Sequence, residues 1–240
     1  MDDKILQFQE IIKKSNKIVF FGGAGVSTES GIPDFRSVDG LYNMKYDYPP
    51  EEILSKTFFK NNKKEFYRFY KDKMIVKGVK PNFSHIFLQK LEEKGKLLSI
   101  ITQNIDGLHI DAGSKRVLEL HGSIKRNYCM KCKKFYDEDY VLNSKDVPVC
   151  SCGGVIKPDV VLYEENLNDN ILYNAIKDIS NADCLIVGGT SLTVYPAAGL
   201  IHYFNGDNII LINKSKTDYD KYAKIVFNES ISEVFSKIKI

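Results

Sequence analysis

An apolar run at residues 17–21 empties into three glycines within four positions, Gly22, Gly23 and Gly25. Ser27, Thr28 and Ser30 follow, then the closing Gly31-Ile32-Pro33-Asp34-Phe35-Arg36. A strand that ends this way predicts a phosphate-binding turn. Glycine lets backbone N–H groups approach a pyrophosphate, and a helix opening near Ser27 would aim its positive end at the same anion. The spacing departs from the dinucleotide pattern GxGxxG, because Thr28 stands where the third glycine would fall, and this disfavours an ordinary dehydrogenase. A glycine-rich turn without a ligand would leave the long polar and aromatic continuation to Arg36 unexplained.

Beyond that turn the chain alternates between strand-like and helix-like segments. Residues 2–15 carry Ile5, Phe8, Ile11 and Ile12 at helical spacing, and residues 83–93 form a second helix. Strands are expected at 17–21, 97–102, 117–120, 159–162, 184–187 and 209–212, with small helices between residues 51 and 77 beside the main sheet. Strands separated by helix-length segments define an α/β chain with a doubly wound parallel sheet.

Composition narrows the class. A 240-residue chain that is 43% hydrophobic and 27% charged can bury a sizeable core, and no apolar run approaches the roughly 20 residues that span a bilayer. The first residues lack the basic and apolar regions of a signal peptide, so a cytoplasmic protein is expected. The net charge is only +3 and no lysine or arginine block forms a nucleic-acid stripe; Lys60, Lys63 and Lys64 read as a solvated helix face.

Four of the five cysteines fall in one window. Cys129 and Cys132 form a CxxC pair, and Cys150 and Cys152 form a closer CxC pair. In a chain without secretory features this reads as a tetrahedral zinc site of four thiolates. Gly153 and Gly154 supply the backbone freedom that the tighter CxC turn needs. A redox role for CxxC would not explain the second pair. The window interrupts the α/β pattern as an insert over about residues 125–157, and Cys184, within an apolar run, reads as a plain buried residue.

Polar residues gather where strands end, which is where open α/β sheets place their ligands. Gln103, Asn104, Ile105 and Asp106 follow one strand. His121 follows another, with an imidazole suited to general base chemistry. Gly189, Thr190 and Ser191 follow a third and Asn213 a fourth, offering donors for phosphate and ribose. His85, His109 and His202 each lie in a helical stretch without a second polar constellation and read as structural.

These residues together resemble the sirtuins, NAD-dependent protein-lysine deacylases. The segments GAGVSTESGIPDFR, TQNIDGLH, LHGS, the four cysteines, PDVVLYEE, GTSLTVYPA and the late Asn213 occur in the family's order over nearly the whole chain. The resemblance implies a Rossmann-type large domain (1–36, 84–124 and 158–240), a helical module (37–83) and a zinc-binding module (125–157), with a cleft between large and small parts. It is closest in pattern to compact bacterial and archaeal members.

The resemblance also implies roles. NAD, consumed as a co-substrate, would lie along Gly23, Ala24, Gly25 and Thr28, with Gly189, Thr190, Ser191, Asn213 and Ile231 on its adenosine half. Ile32, Phe35, Ile105 and Asp106 would form the nicotinamide pocket, flanked by Arg36 and Gln103. The acyl oxygen of the substrate lysine would attack C1′ of the ribose. Asn104 would position the ribose hydroxyls and a water, and His121 would take the ribose proton. Products would be free lysine, nicotinamide and 2′-O-acyl-ADP-ribose. Zinc would be structural, because four thiolates leave no open position. An acylated-lysine peptide would add as a strand between Val160, Val161, Leu162 and Tyr163 on one side and Leu192, Thr193, Val194 and Tyr195 on the other. No nucleic acid, membrane or obligate partner is implied.

Two departures bear on specificity. Tyr163-Glu164-Glu165 stands where the family commonly has Phe-Gly-Glu, which points to altered peptide preference. Tyr67-Arg68-Phe69-Tyr70 lacks the Tyr-x-x-Arg pair of succinyl-preferring members, so acetyl or another uncharged acyl group is expected, with Met44, Phe58, Phe66 and Tyr67 as candidates to set tunnel depth. Among rival readings, an oxidoreductase lacks a locatable acidic residue for the adenosine ribose, and a zinc-ribbon nucleic-acid module lacks the basic surface. Mono-ADP-ribosyl transfer shares the first bond cleavage and differs in the nucleophile.

Overall fold

The computed structural model describes residues 3–34 and 47–240. Its frame is a six-stranded parallel sheet in the order β3-β2-β1-β7-β8-β9, made of Val117–Glu119, Leu97–Thr102, Ile18–Gly22, Cys184–Gly188, Ile209–Ile212 and Ile225–Phe227. The central strands β1 and β7 are buried along their whole length, as expected of strands covered on both faces. On one face pack α1 (Asp3–Lys14), α5 (Phe83–Glu93) and α9 (Ile231–Ser236), which bury Phe8, Phe87 and Phe235 against Phe20. On the other, α8 (Asp169–Asn181) and a 3-10 segment (Ala197–Tyr203) cover Val19, Phe21 and Val187. The chain steps outward from β1 to β2 and β3, then returns to β7 on β1's other side. That reversal opens a crevice at the carboxyl ends of β1 and β7.

A second, three-stranded antiparallel sheet in the order β5-β4-β6 comprises Phe135–Tyr136, Gly122–Cys129 and Ile156–Val160. It shares a core of its own with α2 (Pro50–Ile53), α3 (Lys56–Asn61), α4 (Lys63–Phe69), the π-turn Tyr70–Met74 and α7 (Glu138–Asn143). Phe59, Phe66, Tyr67 and Tyr70 form an aromatic cluster at its centre, Phe66 stacked on Tyr70 and the other pairs edge to face.

Two expectations are corrected here. The strand expected at 159–162 spans Ile156–Val160 and lies in the small sheet, where it pairs antiparallel with β4 and not with any strand of the parallel sheet. No α-helix opens near Ser27. Two 3-10 turns, Ala24–Val26 and Thr28–Ser30, occupy that stretch, and Ser27 makes no side-chain cap. Its hydroxyl is committed elsewhere, as shown next.

Candidate functional site

Two glycine loops are locked together at the crevice. Gly23 N donates to the Gly188 carbonyl at 3.2 Å and Gly25 N to that of Gly189 at 2.8 Å. A Cβ on Gly25 would lie 2.7 Å from Gly189 Cα, and one on Gly189, at φ +62°, would lie 2.5 Å from Val26 N. These glycines are therefore required by the approach of two backbones. The N–H groups of Gly23 and Gly25 are spent on that contact, which revises the expectation that they face a phosphate directly. Gln103 Nε2 donates to Thr190 Oγ1 at 2.9 Å, and Asn213 clasps Thr190 at both ends, accepting from its N–H at 3.0 Å and donating to its carbonyl at 2.8 Å. Asn213 thus shapes the loop after β7 with both ends of its amide.

Behind the first loop a partly buried chain of polar groups fixes the segment that follows the carboxyl end of β2. Ser27 Oγ donates to Asp106 Oδ2 at 2.7 Å and accepts from Asn104 Nδ2 at 3.1 Å, while Leu108 N donates to Asp106 Oδ1 at 2.8 Å. Both carboxylate oxygens are engaged and the Asn104 amide is oriented. Ile105 turns toward the small core, its carbonyl accepting from Ile124 N at 2.9 Å.

His121 follows β3, and Leu120 N donates to the Thr102 carbonyl just before it. Its Nδ1 lies 2.9 Å from the Gln103 carbonyl. A carbonyl only accepts, so Nδ1 carries the hydrogen and Nε2 is left as the basic nitrogen. Burial moves the His121 pKa below its ordinary value of 6.5, opposed by the bond to Gln103. Its own carbonyl accepts from Val161 N at 2.9 Å. Buried Glu119 accepts from Arg126, which also donates to Asp159, so β3 and β6 are tied on His121's flank.

The four cysteine sulfurs all lie within 4.8 Å of one another, with Cys129–Cys152 at 3.5 Å and Cys132–Cys150 at 3.6 Å. A disulfide would need about 2 Å. A tetrahedral ion about 2.3 Å from each thiolate sets the sulfurs about 3.8 Å apart, so the set fits zinc. Gly154 makes the tighter turn possible, since a Cβ there would sit 2.6 Å from Cys129 Sγ. The Cys152 N–H and the Tyr136 hydroxyl pull the Cys150 thiol down to about 5, which favours the thiolate a metal takes.

The Sir2 family profile matches residues 23–196, which hold the glycine loop, His121 and all four clustered cysteines. The chain belongs to the Sir2 family. It is 61% identical over 242 residues to an NAD-dependent protein deacetylase of Clostridium perfringens, covering 99% of both chains, and 60% identical over 240 residues to one of Clostridium acetobutylicum, covering 98% of both. A solved structure of Sir2 with p53 peptide and NAD+ superposes with a TM-score of 0.86 at 40% identity, covering 96% of this chain and 95% of that one. Another, Sir2 with 2′-O-acetyl-ADP-ribose and deacetylated p53 peptide, gives 0.85 at 38%, covering 97% and 96%.

In this Sir2-family chain the expected residues converge. A cleft of about 1250 Å³ is lined by Gly23, Ala24, Gly25, Thr28, Ile32, Gln103, Asn104, Ile105, Asp106, His121, Gly189, Thr190, Ser191, Asn213 and Ile231 and, along its other side, by Val160, Val161, Leu162, Tyr163, Thr193, Val194 and Tyr195. Leu192 is the exception: it is buried in the core beneath the sheet. Phe35, Arg36 and Met44 lie outside the described residues. Ser27, Leu54, Ile124 and Glu164 also line the cleft and were not anticipated as ligand contacts. Ser27 had a signal, a lone serine inside the glycine loop, but its partners Asn104 and Asp106 are more than 75 residues away. Arg68 faces outward, pairing with Glu65 and, at 2.8 Å, with Asp47. His85 and His109 are buried together, 4.6 Å between ring centres, with no place in the cleft.

Proposed function

We infer that the chain is an NAD-dependent protein-lysine deacetylase. The observation that carries the reading is His121, whose Nε2 is left for proton transfer in a cleft shared by the glycine loops and the residue 160–163 wall. Acetyl-lysine, NAD and water give lysine, nicotinamide and 2′-O-acetyl-ADP-ribose. NAD is a substrate here. Gly23, Ala24, Gly25 and Thr28 border its pyrophosphate, Thr190 and Ser191 its adenosine half, and Ile32, Ile105 and Asp106 its nicotinamide. Asn104, held by Ser27, orients the ribose hydroxyls. His121 accepts a ribose proton at Nε2 while Nδ1–H stays on Gln103. The peptide adds as a strand between the walls around Val161 and Val194.

The four thiolates hold one structural zinc, which braces the small sheet and takes no part in a step. The chain divides into a nucleotide-binding domain (1–36, 84–124 and 158–240), whose sheet is packed by one core on each face, and a helical module (37–83) and a zinc-binding module (125–157), which share a third core. With Arg68 turned away, the acyl group is acetyl or another uncharged one. Reduced, metal-ready cysteines suit the cytoplasm; among the described residues no helix is long and apolar enough to cross a membrane.

The test is incubation with an acetyl-lysine peptide, with and without NAD, beside His121→Ala. The expected result is NAD-dependent loss of acetyl with release of nicotinamide and O-acetyl-ADP-ribose, abolished in the variant. Nicotinamide release with the peptide still acetylated would replace this reading with ADP-ribosyl transfer.

A further inference from the structure

Glu164 adopts φ +71°, a left-handed conformation that favours glycine, yet it carries a charged side chain on the rim of the cleft. That side chain reaches across to α3. Glu164 Oε2 accepts from Thr57 N at 2.9 Å and from Thr57 Oγ1 at 2.6 Å. Its neighbour Tyr163 donates its N–H to the Leu54 carbonyl at 3.0 Å and accepts from Lys56 N at 2.9 Å, so Ser55 and Tyr163 pair as a parallel bridge. The first turn of a helix leaves its N–H groups without partners inside the helix. In α3 Ser55 Oγ takes that of Phe58, and the other two, on Lys56 and Thr57, are taken by the cleft wall. The same wall is pinned at its far end by Val161 N to the His121 carbonyl.

We propose that Glu164 is a positioning residue for the acyl-lysine peptide: by capping α3 it latches the 161–164 wall to the helical module and sets that wall's distance from His121. This rests on the deacetylase reading and names how that site holds its peptide. What the latch requires is an acceptor, not a charge, because both donors, the N–H and the hydroxyl of Thr57, are neutral. The strain of a left-handed Glu is tolerated for these two bonds.

The test compares Glu164→Ala, Glu164→Gln and Thr57→Val by steady-state kinetics on an acetyl-lysine peptide and by fluorescence anisotropy of peptide binding, with thermal melts as folding controls. Glu164→Ala, which removes both bonds, should raise KM and Kd for peptide by about three- to tenfold, and Thr57→Val, which removes the hydroxyl's bond and keeps the backbone one, by about two- to fivefold, while kcat and the KM for NAD stay within about twofold. Glu164→Gln, whose amide oxygen still accepts both bonds, should restore the wild-type values. Unchanged peptide KM and Kd in Glu164→Ala would overturn the proposal, as would a Glu164→Gln as impaired as Glu164→Ala, since charge would then carry the effect. Should Glu164→Ala not fold, Thr57→Val against Glu164→Gln tests the hydroxyl's bond alone, and an unchanged peptide KM and Kd in Thr57→Val overturns the proposal. Wild-type protein that binds peptide but does not deacetylate it would remove the function reading alone, and anisotropy would still decide the latch.

Discussion

Gly122, directly after His121, has a dihedral of φ +77°, and a Cβ there would stand 1.8 Å from the carbonyl oxygen of Asp159. That is about 1.6 Å inside the 3.4 Å of ordinary contact. The obstacle is backbone, so Gly122→Ala forces β4 and β6 apart at the Gly122–Val160 pairing and breaks the Val161 N to His121 bond beside it. A left-handed alanine costs about 1–2 kcal/mol, a lost hydrogen bond about 0.5–1.5 kcal/mol, and the overpacking about 1–3 kcal/mol. The sum of about 2.5–6.5 kcal/mol lowers Tm by roughly 5–26 °C at about 2–4 °C per kcal/mol for a chain of this size. Gly95 supplies the control: its φ is +68° and its Cβ would meet nothing within 4 Å. Gly95→Ala should therefore cost the dihedral alone, about 1–2 kcal/mol or roughly 2–8 °C. Calorimetry on both variants, with kcat/KM on acetyl-lysine peptide, makes the comparison. If Gly122→Ala melts no lower than Gly95→Ala and keeps its kcat/KM, the steric argument for the β4–β6 junction is wrong.

Ser27→Ala strips a partner from both Asp106 and Asn104, so kcat/KM for NAD should fall by about tenfold or more, at roughly 1–3 kcal/mol for a buried group left unpaired; an unchanged value would show that the serine is mere filling. Burial disfavours protonated His121, so its neutral form persists to lower pH than in a free imidazole. The acid limb of kcat/KM should thus have its midpoint below 6.5, and a midpoint above 7 would contradict the assignment of His121 as base. Elemental analysis should find about one zinc per chain, and stripping it should lower Tm, because the thiolates stitch Cys129 at the end of β4 to the Cys150–Cys152 turn. Equal melting curves before and after chelation would remove the structural role.

What could be read from the sequence was what is local. Strands β1, β2, β7 and β8 are short apolar runs buried on both faces, and α5 runs over the expected 83–93 because Asn82 caps it. Strand β4 escaped notice because Lys125, Arg126 and Asn127 break any apolar alternation; a bulged register accommodates them, with Arg126 spent on two carboxylates. Residues 159–160 read as part of the main sheet because periodicity says how a strand is buried and not which sheet it joins. Leu192 looked like a clamp residue but its φ of +55° turns it into the core. The site residues that were legible stand at strand ends, where position alone aims them at the crevice. Ser27 and Glu164 depend on partners 79 and 107 residues away, a pairing only the fold reveals.

The parallel pairing of β1 with β7 joins Ile18 to Cys184, a separation of 166 residues. During synthesis at about 5–20 residues per second, one side of β1 therefore waits roughly 8–33 s for its neighbour. Strand β2 covers the other side early, and α1 and α5 shield one face, but the open edge with Phe21 beneath it stays available for mispairing throughout. The two halves of the glycine clasp are made at opposite ends of that interval. A nascent chain thus cannot assemble its nucleotide crevice until β7, Cys184–Gly188, has been translated, and the zinc-bearing insert, complete by residue 160, can be finished well before.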